Sequence, residues 1–198
     1  MMTRSLTTYG GDTAVGAFGI ANRLLLFIVM VVIGLNQAMQ PIAGYNFGAK
    51  RYDRVISVLK RTLVVGTGIT LTGFITGTFF ATPFARLFAK DSPELIEMSG
   101  HALSCMVMMF PIVGLQIVST AFFQSIGYAG KSIFLSLTRQ LIFLVPAIFI
   151  LPHVFNDPLE GLWHAGPVAD GLASILAITL LIRQVRLFKQ QITPTIQE

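Results

Sequence analysis

From Leu24 to Ala49 the chain carries no Asp, Glu, Lys or Arg. A helix needs about 20 mostly apolar residues to cross a bilayer, and this stretch is longer than that. Two more charge-free runs follow, one between Arg61 and Arg86 and one from Met98 to Gly130. Runs of this length with no sustained alternation are too long for strands, so they restrict the chain to helices in an apolar surrounding.

Composition supports lipid as that surrounding. The 198 residues are 54% hydrophobic and 12% charged, with a mean hydropathy of +0.73. A soluble domain carries about 25% charged residues, and half that share does not cover a globule of this size. Five spans are expected, at about 13–46, 55–83, 95–126, 132–151 and 163–182. The fourth and fifth each carry a charge inside the run, Arg139 and Asp170. The expected fold is an all-α membrane protein, a bundle of about five transmembrane helices. The opening residues, MMTRSLTTYGGD, have no apolar core of a cleavable signal peptide. The last residues, QQITPTIQE, read as a frayed tail.

The connections orient the bundle. One set holds Lys50, Arg51, Arg54, Lys60 and Arg61, then Lys131 with Arg139, then Arg183, Arg186 and Lys189. The other holds Asp12, then Arg86, Lys90, Asp91, Glu94 and Glu97, then Asp157 and Glu160. Lys and Arg mark the cytoplasmic side, which places the C-terminus inside and the N-terminus of this chain outside. The net charge of +5 is thus a matter of topology, and nucleic acid is not an expected partner. The bilayer is. The lone cysteine, Cys105, reads as a small buried hydrophobe, and neither an internal disulfide nor a metal cluster is expected.

Glycine and proline punctuate the spans. Gly73 and Gly77 stand four apart among threonines, a face for close helix packing. Pro111 and Pro146 lie mid-span and should kink their helices.

Four stretches carry a family resemblance: YGGD (Tyr9–Asp12), GLNQAMQPIAGYNFGAKRYDRV (Gly34–Val55), FFQSIGYAGKSIFLSLTRQ (Phe122–Gln140) and GPVAD (Gly166–Asp170). From about Thr3 to Lys189 the chain resembles the C-terminal half of a multidrug and toxic compound extrusion (MATE) transporter, in the multidrug export protein branch. The resemblance implies one lobe of a twelve-helix, two-lobe transporter whose lobes rock to alternate access. It implies export of drug-like organic cations driven by entry of Na+ or H+, with no other cofactor, at the inner membrane. It equates this chain with the end of the seventh helix and helices eight to twelve, and makes the missing N-terminal lobe a partner. Some family members bind the coupling ion through acids in helices seven and ten. No Asp or Glu stands between Met98 and Gly130, the helix-ten equivalent, so no residue here inherits that site.

Ionisable groups within spans cost about 2.5–3.5 kcal/mol on insertion scales and so need a reason. Arg23, Arg139 and Asp170 are the candidates. Asp170 could pair with Arg23 across the outer half of the bundle, or with Arg139. Alternatively, both arginines snorkel to the interfaces and Asp170 caps a helix start beside Pro167. The amides Asn22, Asn36, Gln37, Gln40, Gln116 and Gln124 either line a drug path or bond between helices. Met106, Met108 and Met109 with Phe110 could form an adaptable apolar wall. His101 reads as an interface histidine near the outer end of its span. His153 and His164 read as loop residues.

Other function classes fit less well. A lipid-linked sugar flippase of the wider superfamily would want a large cationic cavity, and apart from Lys60 and Arg61 beside the basic turn only Arg23 and Arg139 lie within spans. An intramembrane enzyme needs paired aspartates or a serine–histidine couple. Apart from Glu97 at the very start of the third span, Asp170 is the only carboxylate within a span, and no Gly-x-Ser-x-Gly elbow occurs. A truncated, non-transporting membrane fragment is the third alternative.

Overall fold

The structure is a computed structural model and describes residues 2–89 and 92–192. Lys90 and Asp91 of the acidic loop, and residues 193–198 of the expected frayed tail, lie outside the described residues.

Helix α1 (Met2–Gly48) is two helices joined at Gly11, whose φ of 64° and ψ of −162° only glycine adopts freely. Asn46 Nδ2 donates to the Ile42 carbonyl at 2.8 Å as α1 ends. The turn that follows closes with Arg51 N–H on the Asn46 carbonyl at 2.9 Å and Lys50 at φ 57°. Helix α2 (Tyr52–Phe79) then returns. It stops short of the expected residue 83, and α3 (Ala81–Phe88) begins instead. Pro83 falls in the first turn of α3, where no helical N–H is required.

The third span is broken. Helices α4 (Pro93–Met106) and α5 (Phe110–Ser125) meet at a 57° bend, with Pro111 in the first turn of α5. Pro146 acts differently from the simple kink expected of it. Helix α6 (Ala129–Leu137) runs into a π-helical turn at Thr138–Leu144, and α7 (Val145–Val154) resumes with Pro146 in its first turn. A proline has no N–H to give the preceding turn, and the wider π register takes up the resulting gap. Helix α8 (Pro158–Ile192) is continuous through Pro167.

Four of the described helices are long and apolar enough to cross a membrane, or five if the bent α4–α5 pair is one span. Their outward residues are greasy: Phe27 is 77% exposed, Val64 74% and Ile175 63%. Such surfaces suit lipid or another apolar partner.

Small residues let the helices approach. Gly66, Thr70, Gly73 and Gly77 form one buried face of α2. A Cβ at Gly73 would lie 2.7 Å from Ile28, and one at Gly77 2.7 Å from Val107. At Gly114 of α5 a Cβ would come within 2.5 Å of Thr70 Oγ1 and 2.9 Å of the Gly66 carbonyl. The backbones of α2 and α5 are therefore in direct contact at this point. Two apolar clusters result. One gathers Leu6, Ala17, Phe110, Leu162 and Trp163. The other gathers Val32, Val55, Phe122, Phe123 and Phe188 at the basic end.

Candidate functional site

A cavity of about 960 Å³ opens between α1, α5, α8 and the α6–α7 span. Its wall is largely apolar, with Phe18, Leu25, Val29, Met106, Phe110 and Trp163 among the lining groups. Polar side chains converge on it from several helices. Asn22, Asn36, Gln37 and Gln40 come from α1, and Gln116 and Gln124 from α5. Asp170 enters from α8. Pockets that hold organic ligands have this make-up, an apolar wall with a few placed polar groups.

The polar members differ in how they are held. Gln116 is buried, and its Oε1 accepts a long bond of 3.5 Å from the Ser174 hydroxyl of α8. Asn36 is 4% exposed, and its Oδ1 finds no donor among the described residues. A buried amide oxygen left without a partner costs about 1–3 kcal/mol. Gln37 and Gln124 are exposed, while Asn22 and Gln40 are partly covered.

Asp170 pairs with Arg139. The guanidinium Nε donates to Asp170 Oδ1 at 2.5 Å, with the carboxylate side chain 9% exposed and the arginine side chain 39%. The π-helical turn carries Arg139 at its second residue, so the departure from α-helical register lies where the pair forms. Such turns gather at functional positions. Three sequence expectations are corrected here. Asp170 does not meet Arg23, which is exposed on α1 beside the cavity-lining Asn22 and does not itself line the cavity. Asp170 does not cap a helix start, because α8 begins at Pro158, well before Pro167. Arg139 does not simply snorkel to the interface, because its guanidinium is held by the carboxylate.

The methionine wall is partial. Met106 and Phe110 line the cavity, Met109 packs on the neighbouring apolar cluster, and Met108 is 46% exposed. His153 and His164 are helical, in the last turn of α7 and the second turn of α8. The loop expected around them narrows to residues 155–157.

Sequence reasoning missed several lining groups: Thr120, Ser136, Gln140 and Trp163. Ser136 stands three and four residues before Arg139 and Gln140, a helix-face spacing that was there to be read. It also missed the work of Lys131. Its Nζ donates to Gln184 Oε1 at 2.8 Å and lies over the rings of Tyr128 at 4.6 Å and Phe123 at 5.3 Å. Phe47, Tyr52, Tyr128 and Phe188 pack edge-on, tilted or stacked around this point, closing the basic end of the bundle.

Comparison with known proteins follows the same lines. The chain is 25% identical over 171 residues to a FAD transporter of Shewanella oneidensis. It is 23% identical over 172 residues to the multidrug export protein MepA of Staphylococcus aureus. Each match takes in 86% of this chain and 37% of the relative, so the chain spans well under half the length of these relatives. Among solved structures, the MATE multidrug transporter DinF-BH superposes with a TM-score of 0.79 at 38% identity, over 92% of this chain and 40% of that one. An inward-facing MATE family transporter superposes with a TM-score of 0.88 at 20% identity, over 96% of this chain and 43% of that one. The bundle thus has the fold of one half of a MATE transporter. The MatE family model matches residues 1–150, and the chain is a multi-pass membrane protein that belongs to the MatE family.

Proposed function

We propose that this chain is the C-terminal lobe of an exporter of drug-like organic cations, driven by Na+ or H+ antiport and completed by a second, N-terminal lobe. The observation that carries the reading is the cavity of about 960 Å³, whose apolar and amide wall holds one buried carboxylate. Flat, greasy cations suit such a wall. The aromatic and methionine groups contact them without strict geometry, and the amides turn to meet different polar edges. Asp170 supplies the only negative charge among the described lining residues, and a bound cation competes with Arg139 for it.

The lobe sits in the inner membrane with its basic turns and C-terminus in the cytoplasm. The coupling ion is assigned to no residue of this chain. Rocking of the two lobes presents the cavity to each side in turn.

The test is efflux of ethidium from cells producing the chain together with its N-terminal lobe. The expected result is efflux that falls by at least about tenfold in Asp170→Asn, a loss of ~1.4 kcal/mol of binding. Efflux by the chain alone, or wild-type efflux in Asp170→Asn, would contradict the reading.

A further inference from the structure

His101, Cys105 and Glu160 lie apart from the cavity, at the end of the bundle opposite the basic turns. His101 and Cys105 stand one helical turn apart on α4, and Glu160 reaches them from the first turn of α8. His101 Nε2 is 2.6 Å from Glu160 Oε1 and 3.6 Å from Cys105 Sγ. One ligand atom from each residue falls within 4.8 Å of the other two.

We infer that these three side chains form a binding site for a borderline-soft divalent cation of the zinc type. The donor set is the first reason. Imidazole, thiolate and carboxylate are the three ligands that zinc takes from proteins. Spacing is the second. With metal–ligand bonds of about 2.0–2.3 Å, tetrahedral ligands stand roughly 3.3–3.7 Å apart. The sulfur and the imidazole nitrogen already have that separation at 3.6 Å. The carboxylate oxygen, at 2.6 Å from the imidazole, has to retreat by about 1 Å, which one side-chain rotation of Glu160 provides.

Access is the third reason. The His101 and Glu160 side chains are 51% and 34% exposed, whereas Cys105 is 7% exposed and forms the floor. A cation can enter from the aqueous face, and water completes the fourth position. His164 Nδ1 is within hydrogen-bond distance of the Glu160 carbonyl, at 2.9 Å, and lies 3.9 Å from Glu160 Oε2, which steadies the carboxylate from the other side. On binding, the metal replaces the thiol proton of Cys105, which leaves to solvent, and the imidazole binds neutral. The bound ion ties α4, just before its bend into α5, to the start of α8. The sequence alone points to no metal, because His101 and Glu160 are far apart in the chain and only the fold joins them.

The experiment is a Co2+ titration of the purified full chain in detergent, with any histidine tag removed. Cys105 is the single cysteine, so any thiolate-to-cobalt charge-transfer band reports this site alone. The expected result is a band that saturates at one ion per chain and is displaced by Zn2+. Cys105→Ser abolishes the band. His101→Asn weakens binding by at least about tenfold, since even supporting outer groups cost that much. His153→Ala, an exposed histidine elsewhere, leaves binding unchanged. Absence of the charge-transfer band in the wild type overturns the inference, leaving His101–Glu160 as a plain ion pair. So does a band whose midpoint is unmoved in His101→Asn.

Discussion

Arg139 and Asp170 join two helices that are neighbours in the chain through a bond of 2.5 Å, made from a π-helical turn to a buried carboxylate. Buried charge is tolerated when each ion has a partner of opposite sign, and here the geometry supplies one. The pair is lopsided. Asp170 is almost covered, whereas the Arg139 side chain, 39% exposed, borders the cavity. On the proposed function, a cation entering the cavity competes with Arg139 for that carboxylate.

Removing one member should therefore cost more than removing both. Asp170→Asn or Arg139→Gln alone should lower stability by about 1–3 kcal/mol, less than a fully buried pair because of the exposed arginine. The double variant should recover part of that loss. Thermal unfolding in detergent, read as a double-mutant cycle, checks the coupling.

Close packing of α2 on α5 gives a second test. In Gly114→Ala the new methyl meets Thr70 Oγ1 and the Gly66 carbonyl, and backbone has to move. A loss of about 1–3 kcal/mol is expected. Gly34→Ala, where a Cβ meets nothing within 4 Å, should be neutral or slightly stabilising. Equal effects at the two positions would argue against the contact.

Lys131 is the third. Its loss in Lys131→Met leaves Gln184, 2% exposed, with an unpaired carbonyl oxygen and takes a cation from two rings. The expected cost is about 1–3 kcal/mol, read from thermal unfolding in detergent. The companion change Gln184→Leu in the same chain should restore some of it.

Asn36 separates stability from function. Its side-chain carbonyl is buried without a donor among the described residues, so Asn36→Leu should keep or raise the unfolding temperature. If that oxygen serves a ligand in the cavity, ethidium efflux by the two-lobe protein should fall in the same variant. A drop in both would mark Asn36 as a packing residue.

The spans were legible because charge-free length is a one-dimensional property. Leu24–Ala49 needs no partner to be recognised, and the basic ends needed only alternation. The pair chosen by Asp170 was not legible, since Arg23 and Arg139 both reach a depth from which a carboxylate could be met. Arg139 is the partner and stands in a π-helical turn just before Pro146, where sequence reasoning foresaw only a bend. The amides were found because a polar group within a span stands out. Ser136 and Gln140 did not stand out, sitting close to a basic end where polarity is unremarked. The joining of His101 to Glu160 depends on how α4 leans on α8, which no local pattern encodes.

The proposed topology, with the basic turns on one side of a bilayer, is the central claim of the proposed function. It is tested by labelling single cysteines with a membrane-impermeant maleimide in a Cys105→Ser background, in intact cells and in inverted vesicles. Arg51→Cys and Arg183→Cys should react only in inverted vesicles, and Asp157→Cys only in intact cells. Reaction of Arg51→Cys and Arg183→Cys from opposite sides would contradict the account.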